Sequence, residues 1–455
     1  MDRKFIIIGA LATSTNLNKF QITRGFVIVQ KGQITHKGES DCTMLKEQSV
    51  IAGIRRIELL DHQFLMPGFV DCHPHGSQYP KPPSYQNKKV KTYRPKRQYE
   101  YPFYTSSTYA KMVHKLVRYG TTTAIYYGSL HVDKTMELVR LLVQLRQRAF
   151  IGKVNENTEN RHNYFNDIHK ELDDTKDFIE KVLALGNDLV QPFVAPRFAV
   201  SSDSELMAGL ANIASQYNIN FHSYILQYAC EAREVLRSHP DCQHYAAFFD
   251  KFGILTSKCV LAHAVHLKDP DIELLKLREV GIAHCPAANT RLHAGLCPVR
   301  KLLDHNLKVG LGSDGCGGNS VSILDAIRRA MDVSTHLELQ NSENRGISWK
   351  EAFYLGTLGG ARVLNLAHKV GSLEVGKEFD ALVIDIYAPE GPIDVYNNSL
   401  DRNAANYDES LVQRFLYSGN DCNITQVYVK GHLVKDDAKV IITESTSDDR
   451  CTPRQ

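Results

Sequence analysis

The sequence predicts an α/β fold, a (β/α)8 TIM-like barrel with a small β-sandwich domain that both chain termini form. Short apolar strands alternate with helical stretches in the middle of the chain, both ends are rich in strands, and no Gly-x-Gly-x-x-Gly follows an early strand. About eight strand–helix repeats favour a closed parallel barrel over an open doubly wound sheet. The predicted domains are residues 1–65 and 369–455 for the sandwich and 66–368 for the barrel.

The two ends of the chain have the same β-rich character. Strands are predicted at residues 5–8, 26–29 and 34–36 near the N-terminus, and at 381–386 and 424–429 near the C-terminus. Because the two sets are alike, we expect them to share one small β-domain that the middle of the chain interrupts.

The middle of the chain contains the predicted barrel strands, which are short and apolar. They lie at residues 69–71, 121–127, 190–194, 219–225, 260–264, 282–284 and 309–312. Helical spacing of apolar residues follows several of them, at 112–118, 136–145, 204–217 and 270–280. In a barrel of this type the chemistry lies at the carboxyl ends of the strands.

Composition is that of an ordinary globular protein. The chain has 455 residues, 43% hydrophobic and 23% charged, with a net charge of +3 that indicates no particular partner. Its ten cysteines include no Cys-x-x-Cys pair, which predicts a reducing, cytoplasmic location. The apolar residues 5–12 are better explained as a first strand than as a signal peptide, and no run approaches the ~20 apolar residues of a membrane span.

A basic segment at residues 81–99 directly follows the first predicted barrel strand. It contains seven lysines and arginines, three tyrosines and no acid, and its three prolines disfavour a helix. Such a loop is able to bind a polyanion, but we favour a solvated lid and expect no nucleic acid partner.

Four histidines and one aspartate stand at predicted strand ends. His73 and His75 close the run MPGFVDCHPH, two residues apart, so their side chains share one face of a strand. His263, His284 and Asp314 each follow a later strand. The His-x-His pair is able to place two nitrogens on one divalent metal, whereas each later residue taken singly is more often a hydrogen-bonded core or surface group.

The order of these residues resembles the metal-dependent amidohydrolases and, within them, the guanine deaminase family. The matching motifs are MPGFVDCHPHGSQY (66–79), GTTTA (120–124), QRAF (147–150), PRF (196–198), HCP (284–286), GLGSD (310–314) and LDAIRRA (324–330). The resemblance implies a barrel flanked by a β-sandwich, one zinc ion, a homodimer, and hydrolytic deamination of guanine to xanthine and ammonia in purine catabolism.

The resemblance also implies roles for individual residues. It makes His73, His75 and Asp314 the zinc ligands, and His263 the residue that orients the water on the metal. Asp314 also takes up a proton during attack. Purine-binding positions correspond to Gln78, Arg197 and Phe198.

The fifth barrel strand departs from the family pattern. Tyr224 stands where the family has its remaining zinc-ligating histidine, and Gln227 stands where it has the proton-carrying glutamate. A phenol has a pKa near ~10 and is a poor zinc ligand unless deprotonated, and a carboxamide cannot shuttle protons. His222 precedes Tyr224 by two residues, roughly 6.6 Å along a strand, so we expect it one layer deeper, out of reach of the metal.

Three functions follow from this departure. The first is a zinc aminohydrolase of the guanine deaminase type with reduced or lost activity. The second is a catalytically silent pseudoenzyme that acts as a binding or regulatory subunit. The third is a deaminase of a related purine or pterin, since guanine and pterins share an amide–amidine edge. Each implies a small-molecule purine or pterin as the ligand.

Overall fold

The computed structural model describes residues 4–39, 54–76, 106–157, 167–315, 317–394, 404–437 and 441–443. The chain divides into two compact units. The first comprises Met1–Thr13, Gln21–Pro67 and Ser372–Gln455, and the second comprises Ser14–Phe20 and Gly68–Gly371.

The strands of the described residues, in chain order, are β1 (Lys4–Asn16), β2 (Lys19–Gln30), β3 (Gln33–Glu39), β4 (Arg55–Glu58), β5 (Gln63–Pro67), β6 (Phe69–Asp71), β7 (Thr121–Tyr127), β8 (Arg148–Gly152), β9 (Val154–Asn155), β10 (Val190–Pro196), β11 (Asn220–Ile225), β12 (Cys259–His263), β13 (Gly281–His284), β14 (Lys308–Leu311), β15 (Ala381–Asp385), β16 (Ile424–Val429), β17 (His432–Asp436) and β18 (Ile441–Thr443).

The helices of the same residues are α1 (Ser106–Arg118), α2 (Val132–Gln144), α3 (Ile168–Leu183), α4 (Ser204–Gln216), α5 (Ala229–Ser238), α6 (Tyr245–Lys251), α7 (Asp269–Leu277), α8 (Pro286–Arg291), α9 (Val299–Asp304), α10 (Ile323–Gln340), α11 (Trp349–Tyr354), α12 (Gly360–Val363) and α13 (Tyr407–Ser418). A 3-10 turn spans Ala199–Ser201, and a π-helical turn spans Leu355–Gly359. Within the described ranges, no helix is both long and apolar enough to cross a membrane.

Strands from both chain ends form one sheet in the first unit. Their order is β17-β16-β15-β5-β1-β2-β3, and β4 joins β1 to β18 at the side. The N-terminal strand β5 pairs antiparallel with the C-terminal strand β15, with Leu65 opposite Val383. Buried aliphatic side chains, among them Val27 and Val29, pack on one face of this sheet. The prediction that the termini build a common β-domain is confirmed.

The second unit is a parallel barrel. Its strand order is β6-β7-β8-β10-β11-β12-β13-β14, with β9 on β10. The first and last strands meet where Cys72 N–H donates to the Leu311 carbonyl at 2.8 Å and Asp314 N–H donates to the His73 carbonyl at 2.7 Å. These bonds close the barrel and bring the ends of β6 and β14 together, as the predicted fold class requires.

Almost all residues of the barrel strands are buried, because helices cover the strands on the outside and their own side chains fill the inside. All seven residues of β7 are buried. Sequence reasoning missed β8 as a strand. Its five residues begin at Arg148 and end at Gly152, so charge and glycine hide a run that becomes buried only when it pairs with β7 and β10.

A buried ion pair joins α3 to Lys153, the residue between β8 and β9. Lys153 Nζ contacts Glu171 Oε1, and both side chains are 0% exposed. The same Glu171 oxygen accepts a hydrogen bond from Asn155 Nδ2 at 2.9 Å, and Asn155 also donates to Thr175 Oγ1 at 2.7 Å. The network provides hydrogen-bond partners for polar groups that are buried between the barrel and α3.

We expect Glu171→Gln to lower the free energy of unfolding by about 3–5 kcal/mol, because it leaves the Lys153 charge buried without its counter-charge. Urea unfolding followed by circular dichroism measures this. The matched control is Lys170→Ala on the same helix, which removes the ion pair between Asp174 and the 60% exposed side chain of Lys170. This variant should change the free energy of unfolding by less than ~1 kcal/mol. Equal effects of the two variants would contradict the buried-pair account.

Candidate metal centre

His73, His75 and Asp314 converge at the end of β6. Their ligand atoms all lie within 4.8 Å of one another, and all three residues are buried. His75 Nε2 is 3.3 Å and His73 Nε2 is 3.8 Å from Asp314 Oδ1. The two imidazole rings are perpendicular, with centroids 5.0 Å apart. The side chains that the sequence predicts as metal ligands therefore form one group.

Asp71 holds this group together, although sequence reasoning gave it no role. Its Oδ1 accepts hydrogen bonds from the backbone N–H of His73 at 3.1 Å and of Ser313 at 3.0 Å, and its Oδ2 accepts from the Ser313 hydroxyl. Because Ser313 precedes Asp314, one carboxylate fixes both the histidine pair and the aspartate. An acid at the end of β6, two residues before His73, was the available signal.

The donor atoms of the group suit a cation. His73 Nε2 is buried and has no hydrogen-bond partner among the described residues. Burial lowers the pKa of His73 and His75 well below the usual value, so both imidazoles are neutral and offer lone pairs. Burial also raises the pKa of Asp314 to about 8, and the positive charge of Arg197 opposes that shift. Two neutral imidazoles and one carboxylate match the catalytic ligand sets of zinc.

Tyr224 reaches into the same group from β11. Its Oη is 2.6 Å from His75 Nε2, and its ring lies 4.9 Å from the rings of both His73 and His263. Burial raises the pKa of the Tyr224 phenol well above its usual value, and Arg197 opposes that shift. The neutral phenol is therefore hydrogen-bonded to a nitrogen that a metal would need.

The carboxamide that replaces the family glutamate lies just beyond β11. Gln227 is buried, at 3% exposure. The carboxyl of Glu231, four residues later, is also buried, and burial raises its pKa to about 7. However, Glu231 accepts hydrogen bonds from Tyr228 N–H at 2.9 Å and from Tyr245 Oη at 3.3 Å at the start of α5. It is engaged as a helix cap and is a poor substitute for a proton carrier.

His263 presents one nitrogen to the site. Its Nδ1 donates to Asn289 Oδ1 at 2.9 Å, which leaves Nε2 as a buried lone pair with no protein partner in the described ranges. Burial lowers the pKa of His263 to about 4, although the bond to Asn289 opposes this. The backbone φ angles of His263 (79°) and Asp314 (53°) are both in the left-handed region, a strain typical of functional sites.

Two further histidines flank the group. His284 ends β13, and both of its ring nitrogens are buried without a hydrogen-bond partner in the described part of the chain. His222 Nε2 is 3.1 Å from His73 Nδ1, behind the ring and not among the grouped ligand atoms. His284 thus lies at the strand end that the sequence predicts.

The predicted purine-binding residues that the structure describes follow β10. Arg197 lies with its guanidinium carbon 5.6 Å from the centroid of the Phe198 ring. The Phe198 ring in turn packs edge-on against Tyr224, with centroids 4.3 Å apart. Gln78 and the basic segment 81–99 fall outside the described residues.

The model of the amidohydrolase family matches residues 64–434. Guanine deaminase of Dictyostelium discoideum is 34% identical over 403 residues, which cover 87% of this chain and 88% of that protein. The Homo sapiens guanine deaminase is 35% identical over 388 residues, 83% of this chain and 84% of the relative.

Solved structures give the same result. Guanine deaminase from C. acetobutylicum, with bound guanine in its active site, has a TM-score of 0.80 at 28% identity and covers 94% of this chain and 99% of its own. The E. coli guanine deaminase has a TM-score of 0.82 at 26% identity, covering 95% and 100%. This chain therefore belongs to the amidohydrolase family and, within it, to the guanine deaminase family.

Proposed function

We propose that this chain is a zinc-dependent aminohydrolase of the guanine deaminase type that turns guanine over at a severely reduced rate. The observation that carries the proposal is the buried group of His73, His75 and Asp314, which stands beside a phenol and a carboxamide at positions 224 and 227. The ligand set supports retained metal binding. The two replaced side chains remove the means of moving protons.

The walls of the site support a flat, uncharged bicyclic ligand. Phe198 offers an aromatic ring, and Arg197 offers donors for a ring carbonyl, next to the metal group. Gln78 is proposed as a third ligand contact on the family resemblance alone. Guanine is the first candidate because the similar structure from C. acetobutylicum contains it. A pterin carries the same amide–amidine edge and is the second candidate substrate.

His73, His75 and Asp314 would hold the zinc, which would supply a water of lowered pKa for the attack. His263 directs its Nε2 lone pair into the site and is proposed to orient the attacking water by accepting a hydrogen bond from it. Asp314, whose pKa burial raises, is proposed to hold a proton during the attack. These assignments follow the family pattern residue by residue.

The missing function is proton delivery to the purine and to ammonia as it leaves. Gln227 is able to hydrogen-bond the ring but has no proton to transfer in the useful pH range. Loss of one general acid–base typically reduces the rate ~10²–10⁴-fold, and the family glutamate acts in both steps. Because Glu231 is held at the start of α5, the described residues offer no obvious replacement beside Gln227.

A second candidate function is a silent binding or regulatory subunit. The contact that favours it is the 2.6 Å hydrogen bond between Tyr224 Oη and His75 Nε2, which competes with any metal for that nitrogen. In this reading the pocket binds its purine or pterin and does not convert it. A homodimer and a cytoplasmic location remain predictions under either function.

Elemental analysis of the purified full-length protein should find about one zinc ion per chain. Asp314→Ala should lose most of that zinc, because it removes the only carboxylate in the ligand group. The control His169→Ala changes an exposed histidine of α3 and should retain it. If the parent protein still contains no zinc after incubation with zinc, the site has lost the ability to bind the metal.

The double variant Tyr224→His with Gln227→Glu should raise guanine deamination by at least about 10²-fold, because it restores a ligand and a proton carrier. An ammonia-release assay on zinc-loaded protein measures the rate, and each single variant should gain less. Parent turnover above about 1 s⁻¹, a low value for a natural enzyme, would defeat the proposal of impaired chemistry. No gain in zinc content or rate would show that positions 224 and 227 are wrongly assigned.

Guanine should bind the parent protein reversibly and be converted only slowly, and Arg197→Met should weaken that binding by about tenfold or more, since it removes charge-assisted donors. Equilibrium dialysis followed by chromatography of the recovered ligand measures both affinity and conversion. Arg140→Met, at an exposed position of α2, is the control. A pterin run in parallel tests the second substrate, and failure of both ligands to bind would contradict the proposed substrate class.

A further inference from the structure

His222 lies directly behind the proposed metal ligand His73. Its Nε2 is 3.1 Å from His73 Nδ1, the nitrogen opposite the one that faces Asp314. Both imidazoles are 0% exposed, and their rings meet edge to face with centroids 4.9 Å apart. Two buried imidazoles therefore share one N–H···N hydrogen bond.

Packing holds His222 in this place. Tyr127 Oη donates to the His222 carbonyl at 2.8 Å, and the His222 ring packs against those of Tyr127 and Phe193, at centroid distances of 4.9 and 5.6 Å. Its neighbour across the sheet is Val260 on β12. The ring has little freedom to turn away from His73.

Hydrogen-bonding rules then link the protonation of the two rings. A neutral imidazole donates from one nitrogen and accepts at the other. If His73 coordinates a metal through Nε2, its hydrogen is on Nδ1, and His222 Nε2 must accept. The hydrogen of His222 is then on Nδ1, which is buried and has no hydrogen-bond partner in the described ranges.

The reverse arrangement is open only to the metal-free protein, because it places a hydrogen on His73 Nε2. His222 then donates from Nε2 to His73 Nδ1, and His73 Nε2–H faces Asp314 Oδ1 at 3.8 Å, beyond hydrogen-bond length. When a metal binds, the shared proton moves from His222 Nε2 to His73 Nδ1, the Nε2 proton of His73 leaves, and His222 takes up a proton at Nδ1. The pair of rings holds two protons in each of the two arrangements.

We propose that His222 is a positioning residue that fixes the tautomer and orientation of His73, and that metal binding reverses the direction of the hydrogen bond between them. The inference deepens the proposed function and relies on its metal site. Metal-ligating histidines usually donate their second N–H to a carboxylate, a carbonyl or water, and loss of that partner weakens metal binding. Here an imidazole takes that place.

Metal affinity gives the first test. We expect His222→Leu to weaken Zn²⁺ and Co²⁺ binding about 10–100-fold in a chelator competition with the full chain. His222→Gln, whose carbonyl is able to accept from His73 Nδ1, should recover most of the loss. His336→Leu, the same substitution at an exposed histidine of α10, should bind like the parent. Unchanged affinity in His222→Leu, or no recovery in His222→Gln, would overturn the proposal.

Nitrogen NMR of histidine-labelled parent protein gives a test that does not need a bound metal. We expect a scalar coupling across the N–H···N bond, with His73 protonated on Nε2 in the metal-free protein and on Nδ1 after Zn²⁺ is added. Absence of that coupling overturns the role of His222. If the parent takes up no zinc, the proposed function fails, and the coupling in metal-free protein still decides whether His222 sets the tautomer of His73.

Discussion

The metal centre depends on one carboxylate at the seam of the barrel. Asp71 accepts hydrogen bonds from the backbone of His73 and of Ser313, residues that are far apart along the chain. The seam also closes through the bonds from Cys72 to Leu311 and from Asp314 to His73. Without this closure the histidine pair and Asp314 would lie on separate strands with no fixed spacing. Closure of the barrel thus brings candidate ligands from its first and last strands within reach of one ion.

Burial then determines the chemical state of what the seam brings together. The pKa values of His73, His75, His222 and His263 are all lowered, chiefly by burial. Neutral imidazoles are good metal ligands and good hydrogen-bond acceptors. Arg197 brings a positive charge to the wall, where it opposes protonation of Asp314.

Tyr224 is the residue at which the departure from the family pattern directly contacts a candidate metal ligand. Its phenol binds His75 Nε2, and burial keeps it protonated. Metal binding through His75 Nε2 would have to replace this hydrogen bond, which opposes metal uptake, whereas an imidazole at position 224 would itself offer a ligand nitrogen. The change at position 227 acts separately, since a carboxamide affects proton transfer and leaves the ligand set unchanged.

The sequence by itself determined the fold class, because strand–helix alternation and the β-rich ends leave few ways to bury the apolar residues. It also predicted that His73, His75 and Asp314 would meet, because ends of parallel strands gather at one rim. Strand β8 was missed because its apolar core is short and bounded by Arg148 and Gly152. The role of Asp71 and the contact between His222 and His73 were missed because they depend on the closed seam and on the register of β11. Spacing along a chain decides which face a side chain occupies, but only the packed barrel decides which atoms on different strands come within hydrogen-bond distance.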